Sequence, residues 1–179
     1  SVERAGNPTT PPPWARFRRP IDGVTAAPMQ YLRKSTQITG LLGGHGYVVL
    51  FWRSNKACHK ALPTLERMCR RCAPVTKLHF VLVSRDSKAD LQALVKKQPF
   101  NTLTLPVAHD ASEQANANYM GAFGCITVPH AFVVGPDGVI IWHGNYARRA
   151  LAHSVAALAK TLAPPDVAAA VSKDEKKKQ

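Results

Sequence analysis

The chain has 179 residues, 45% of them hydrophobic, and 24 Lys and Arg against 11 Asp and Glu give it a formal net charge of +13. This length and composition fit one globular domain and leave little room for a second. No apolar run approaches the roughly 18 residues that cross a bilayer, and 4 cysteines are too few for a secreted disulfide scaffold, so both of these classes are excluded.

Residues 1–35 are predicted to form an extended arm. The segment is rich in Pro, Arg and small residues and has no helical or strand periodicity, so it cannot bury enough apolar surface to fold alone. We expect Trp14 and Phe17 to anchor this arm on a partner. The chain starts at Ser1 and not at Met, which fits removal of a targeting peptide, or equally a trimmed or renumbered chain.

The first informative stretch is YVVLFWRSNKACHKALPTLERM, residues 47–68. The glycines before it precede a strand and do not follow one, which indicates a turn and not a phosphate-binding loop. An apolar strand is followed by Asn55, a favoured helix N-cap residue, and Cys58 comes one helical turn later. The sequence therefore predicts a strand, a turn and a helix that ends near Cys69 and Cys72.

The remaining elements are predicted as an apolar strand over Lys77–Ser84, a helix over Lys88–Lys97, and a helix from Ser112. Residues 117–144, ANYMGAFGCITVPHAFVVGPDGVIIWHG, then read as a helix end, a Val-Pro pair, and two strands joined by a Pro-Asp-Gly turn. The domain should end near Leu162, before a double Pro. Residues 163–179 should form a charged tail that frays when it is alone.

These two stretches resemble the two halves of thioredoxin-like proteins, which usually read FW-x-x-WC-x-x-C-x-x-x-x-P in the first half and carry a cis-proline in the second. Cys58 and Pro63 keep the family's five-residue interval. The resemblance covers roughly residues 36–162, and the extra element between the halves is typical of the TlpA-like and peroxiredoxin-related branches. It implies an α/β thioredoxin-like fold, a central mixed sheet flanked by helices, with extended N- and C-terminal tails and a cis bond at Val128-Pro129.

The resemblance also implies that Asn55 replaces the attacking cysteine. An amide cannot become a thiolate, and thiol–disulfide exchange begins with a thiolate. The expected site is therefore vestigial (Asn55, Cys58, Val128, Pro129), without catalytic residues or cofactor. The alternative is a thiol–disulfide oxidoreductase or peroxide sensor that uses Cys58 as a single thiol, with Lys56 and His59 beside it. Peroxiredoxins themselves carry Thr, within a Pro-x-x-x-Thr-x-x-Cys run, where this chain has Asn55 and lacks the proline.

The other cysteines and the histidines give weaker signals. Cys69 and Cys72 sit at a helix C-terminus, which disfavours thiolates, and three interpretations stay open: structural cysteines, a local regulatory disulfide or part of a metal site. Cys125 is expected to fill the core. Cys58, His59 and His130 form a conceivable metal cluster without a metal signature, so no metal is predicted. The remaining histidines are expected on the surface or at strand ends: His45, His79, His109, His143 and His153.

The positive charge favours a polyanionic or acidic neighbour. We expect a catalytically inactive structural subunit of a large, mitochondrial assembly, a respiratory-chain complex or the organellar ribosome, in the matrix or facing it. Its partners would be other protein subunits, with contact to ribosomal RNA or anionic lipid headgroups, and no small-molecule substrate. A further alternative is a peptide-binding groove beside the cis-proline. The expected partner-binding residues are Trp14, Arg16, Phe17, Arg18, Arg19, Lys176, Lys177 and Lys178.

Overall fold

A computed structural model describes residues 30–31 and 43–167 of the chain. Most of the predicted arm and tail, including every residue expected to bind partners, lies outside these described residues. The elements in chain order are β1 (Gln30–Tyr31), β2 (Gly46–Phe51), α1 (Lys56–Arg71), β3 (Leu78–Ser84), α2 (Lys88–Val95), a 3₁₀ turn (Phe100–Thr102), β4 (Val107–His109), α3 (Gln114–Asn116) with a π-helical turn (Ala117–Gly121), β5 (His130–Val134), β6 (Ile140–Gly144) and α4 (Arg149–Leu162).

The strands form one mixed sheet in the order β1-β4-β3-β2-β5-β6. β2 runs parallel to β3, and β3 parallel to β4, whereas β5 is antiparallel to β2 and β6 antiparallel to β5. The predicted central mixed sheet flanked by helices is confirmed. Two residues of the predicted arm, Gln30 and Tyr31, add a short antiparallel edge strand beside β4.

Both faces of the sheet are covered, which explains why β2 is a continuous apolar run without alternation. On one face, Leu50 and Leu82 pack with Leu62 of α1 and Leu151 of α4. On the other face, Phe132 belongs to a second cluster that the α3 region covers. The sheet therefore separates the side chains of the molecule into two cores.

Local sequence signals set most element ends. Asn55 caps α1, and Arg70 and Arg71 lie in its last turn, where cations favour the helix dipole. The helix predicted from Ser112 is present over residues 114–121, as a three-residue α-helix that continues into a π turn. Its first amides are held by the buried carboxylate of Asp110, which accepts from the N–H groups of Ala115 and Asn116 at 3.2 and 2.8 Å.

Candidate functional site

The turn between β2 and α1 holds the residues that the sequence pointed to. Asn55 has extended backbone angles (φ −137°, ψ 165°), and its Oδ1 accepts a hydrogen bond from the backbone N–H of Cys58 at 2.8 Å. This is the geometry of a helix N-cap. The prediction that Asn55 caps the helix is confirmed. Its side-chain amide therefore lies at the N-terminus of α1, which is the positive end of the helix dipole.

Cys58 lies one turn into α1, and its side chain is 0% exposed. Burial raises the pKa of its thiol, and the charge of Asp86 acts in the same direction. A hydrogen bond from the backbone N–H of Arg53, at 3.3 Å from the sulfur, opposes this shift without reversing it. The thiol therefore stays protonated at neutral pH, and solvent does not reach it.

Asp86 fixes the conformation of the turn, and sequence reasoning missed it. Its carboxylate accepts from the backbone N–H of Ser54 at 2.6 Å and pairs with Nε of Arg53 at 3.3 Å. Asp86 is the second residue after the carboxyl end of β3, the edge of an α/β sheet where site residues gather. Its position just after an apolar strand is the sequence signal that could have identified Asp86 as a site residue.

The cis-proline lies beside this turn, as the resemblance implied. The Val128-Pro129 bond is cis, and Val128 packs against both cores. Phe51, the last residue of β2, pairs in register with His130, the first residue of β5. Because Pro129 precedes His130, this register brings the proline to the same end of the sheet as the turn.

A cavity of about 300 Å³ runs along the other side of α1. Its lining includes His59, Pro63, Phe100 and Leu103. The His59 ring stands edge-on to Phe100, with 4.8 Å between centroids, and its Nε2 lies 3.4 Å from Oγ of Ser54. Cys58, which is fully buried, is not among the residues that line this cavity.

The structure does not bring Cys58, His59 and His130 together as a metal cluster. Cys58 belongs to the core on the α1 face, whereas the His130 ring contacts Phe132, which belongs to the core on the opposite face. The sheet itself separates the proposed ligands. The His130 ring instead contacts two other side chains, and no spacing along the chain indicates that these three residues meet.

Those partners are Cys125 and His143. Nε2 of His130 lies 3.5 Å from Sγ of Cys125 and 3.1 Å from Nδ1 of His143. As expected, Cys125 packs against the second core and His143 lies near the end of β6. What was not expected is that these two side chains and His130 meet in one half-buried cluster. Burial, and then the neighbouring His143, lower the pKa of His130 to about 4, and burial lowers that of His143 and raises that of the Cys125 thiol.

Cys69 and Cys72, the literal Cys-x-x-Cys pair, are both unpaired thiols. Burial, reinforced by the charge of Glu66, raises the pKa of Cys69 to about 11, and burial raises that of Cys72. Thiols of this kind are poor nucleophiles at neutral pH. The geometry favours the structural interpretation over a disulfide, and neither belongs to a group of three potential metal ligands among the described residues.

Fold and site together define a thioredoxin-like protein, with the strand-turn-helix unit and the cis-proline at one end of a mixed sheet. Residues 29–143 match the AhpC/TSA family, and the chain belongs to that family. No curated protein matches the sequence significantly. The part of the chain that the structure describes has no helix long and apolar enough to span a membrane.

Solved structures with the same fold include thiol-handling proteins. DsbF of MTB is 24% identical with a TM-score of 0.56, over 73% of this chain and 92% of that one. A putative thiol:disulfide interchange protein DsbE from Chlorobium tepidum is 19% identical (TM-score 0.54; 74% and 94% covered). Peroxiredoxin Q from Xanthomonas campestris is 18% identical (TM-score 0.55; 76% and 90% covered). At these identities the likeness concerns the fold.

Proposed function

We propose that this protein keeps the thioredoxin-like scaffold but carries out no thiol–disulfide exchange at the β2–α1 turn. One observation carries the proposal: the position at the head of α1 holds a capping amide, and the thiol one turn later is buried and protonated. Exchange needs a thiolate that can reach the sulfur of its substrate. Asn55 has no sulfur atom, and the sulfur atom of Cys58 is not exposed to a substrate.

Insulin reduction driven by dithiothreitol tests this proposal. We expect the wild-type protein to reduce insulin no faster than dithiothreitol alone, because the first step of the reaction has no nucleophile. The Cys58→Ala variant, checked for folding by circular dichroism, should give the same rate as wild type. Turnover by wild type that disappears in Cys58→Ala would refute the proposal.

A second candidate function is single-thiol chemistry at Cys58, as an oxidoreductase or peroxide sensor. Membership of the AhpC/TSA family and the fold likeness to DsbF, DsbE and peroxiredoxin Q support this candidate better than they support an inactive protein. Against it stand the burial and the raised pKa of the Cys58 thiol. Sulfenic acid that forms at Cys58 of the folded protein under dilute peroxide would favour this second candidate.

For the biological role, we propose a structural subunit of a large mitochondrial assembly, in the matrix or facing it. The support is the net charge of +13, which is large for a free redox protein, together with the Pro- and Arg-rich N-terminal sequence. Other protein subunits would be the main partners, and ribosomal RNA or anionic lipid could neutralise part of the charge. The segments expected to make these contacts lie outside the described residues.

Native gels of purified mitochondria test the role. We expect the chain to comigrate with a complex on the megadalton scale. Joint replacement of Arg16, Arg18 and Arg19 by Gln should move part of it to the free pool, because an electrostatic anchor is lost. The matched control replaces Lys88, Lys96 and Lys97, on and after α2, by Gln. A wild-type chain that migrates as a free monomer would contradict the proposed role.

A further inference from the structure

Three potential metal ligands from three separate parts of the chain meet on the sheet face opposite α1. One ligand atom each from Cys125, His130 and His143 lies within 4.8 Å of the other two. None of them belongs to the β2–α1 turn, so the cluster is independent of thiol exchange at Cys58. Nothing in the proposed function uses it.

Rigid elements position the three side chains. His143 on β6 pairs in register with Phe132 on β5, and His130 lies two residues before Phe132, so both imidazoles project from the same face. Cys125 is held by its backbone N–H, which donates to the carbonyl of Met120 at 2.8 Å. A site whose ligands are fixed by strands and a hydrogen-bonded loop loses little entropy when it binds an ion.

The distances match those that one tetrahedral ion imposes. With metal–nitrogen bonds of about 2.05 Å and a metal–sulfur bond of about 2.3 Å, a tetrahedral zinc centre separates two nitrogens by about 3.3 Å and nitrogen from sulfur by about 3.6 Å. Two of the three separations in the cluster are 3.1 and 3.5 Å. The third, between the ligand atoms of Cys125 and His143, is no more than 4.8 Å. The first two separations therefore lie within a few tenths of an ångström of the tetrahedral values, and coordination also requires the Cys125 and His143 ligand atoms to stand about 3.6 Å apart.

Aromatic rings form a wall on one side of the cluster. The ring of Phe123 lies 4.6 Å from that of His143, and Phe132 stacks on His143 at 5.5 Å. These rings pack against the His143 imidazole and shield it on their side, and all three potential ligands are half-buried. An apolar shell of this kind controls the access of solvent to a metal site and lowers the dielectric constant around it.

We propose that Cys125, His130 and His143 bind one Zn²⁺ ion, with water at the fourth position. Sγ of Cys125, Nε2 of His130 and Nδ1 of His143 each donate a lone pair to the ion, and the thiol proton passes to solvent. One thiolate and two imidazoles suit zinc better than calcium or magnesium, which prefer oxygen ligands. Three protein ligands with an open fourth position are the arrangement of zinc sites that bind or activate a small molecule.

Cobalt binding to the full chain tests the proposal, because Co²⁺ occupies zinc sites and reports its ligands in the visible spectrum. We expect one Co²⁺ per chain, with intense tetrahedral d–d bands and a thiolate-to-cobalt charge-transfer band, both lost when one equivalent of Zn²⁺ is added. Cys125→Ser and His143→Asn should each weaken binding at least about a hundredfold, since loss of a direct ligand should exceed the 10–100-fold effect of outer partners.

The matched controls are Cys69→Ser, a half-buried thiol elsewhere, and His153→Asn, an exposed imidazole on α4, and both should bind Co²⁺ like wild type. A second measurement, the rate of cysteine alkylation, uses the wild-type protein alone. Zn²⁺ should slow alkylation of Cys125 and leave that of Cys69 unchanged. Weak octahedral cobalt spectra without a charge-transfer band, or unchanged alkylation of Cys125, would overturn the proposal and leave only a hydrogen-bonded cluster.

Discussion

Replacing Asn55 by cysteine is expected to give the protein dithiol activity. The new thiol would stand at the exposed head of α1, one turn from Cys58, where unpaired amides and the helix dipole stabilise a thiolate. A pKa lowered from 8.5 to about 7 raises the thiolate fraction at pH 7 about fifteenfold. We therefore expect insulin reduction at least about tenfold above wild type, and a 55–58 disulfide visible by mass spectrometry as the loss of two hydrogens.

Two controls separate the new thiol from other effects. Asn55→Ala removes the same cap, so it should lose a similar stability, about 1 kcal/mol, without gaining turnover. Adding Cys58→Ala to Asn55→Cys should abolish the disulfide and most of the turnover. If Asn55→Cys is no more active than Asn55→Ala, the amide at residue 55 is not what prevents thiol–disulfide exchange, and the explanation proposed for the β2–α1 turn is contradicted.

Replacing Glu66 by alanine is expected to cause a large loss of stability, because its buried carboxylate accepts several hydrogen bonds. The carboxylate on α1, 8% exposed, accepts from the backbone N–H and Oγ1 of Thr104, from the N–H of Leu105 and from Nε of Arg70. Glu66→Ala leaves two backbone donors without their acceptor. Chemical denaturation should show a loss of about 3 kcal/mol in the free energy of unfolding.

The stability that the Glu66 carboxylate contributes should also depend on pH. Burial tends to raise the pKa of Glu66, but the hydrogen bonds from Thr104, Arg70 and Leu105 outweigh it, and the net pKa is lowered. The carboxylate therefore contributes stability above its unfolded pKa and loses it as pH falls through the folded value. The difference in the free energy of unfolding between wild type and Glu66→Ala should become smaller below about pH 4.

Glu113→Ala is the matched control, because its pair with Arg85 is 3.4 Å long and its side chain is 64% exposed. A solvent-exposed pair of this kind contributes less than about 1 kcal/mol. Equal losses from Glu66→Ala and Glu113→Ala would contradict the role assigned to the buried carboxylate.

Much of the fold could be predicted because its signals are local. The Asn55 cap, the glycine turn before β2, the apolar strand β3 and the Asp137-Gly138 turn each depend on residues within a few positions of one another. The cis bond at Val128-Pro129 followed from the resemblance, and the structure contains it. The helix predicted after Ser112 is also present, but no local pattern indicated that most of it is a π turn or that the carboxylate of Asp110 accepts from its first amides.

The sequence by itself determined that sulfur is missing at residue 55 and that the scaffold is thioredoxin-like. Only the tertiary structure decided which distant side chains meet: Glu66 with Thr104, 38 residues apart, Asp86 with Ser54, and Cys125 with His130 and His143. Such contacts depend on strand register and on which face of the sheet each residue occupies. A shift of one residue in either strand would move a side chain to the opposite face, and spacing along the chain does not fix that register.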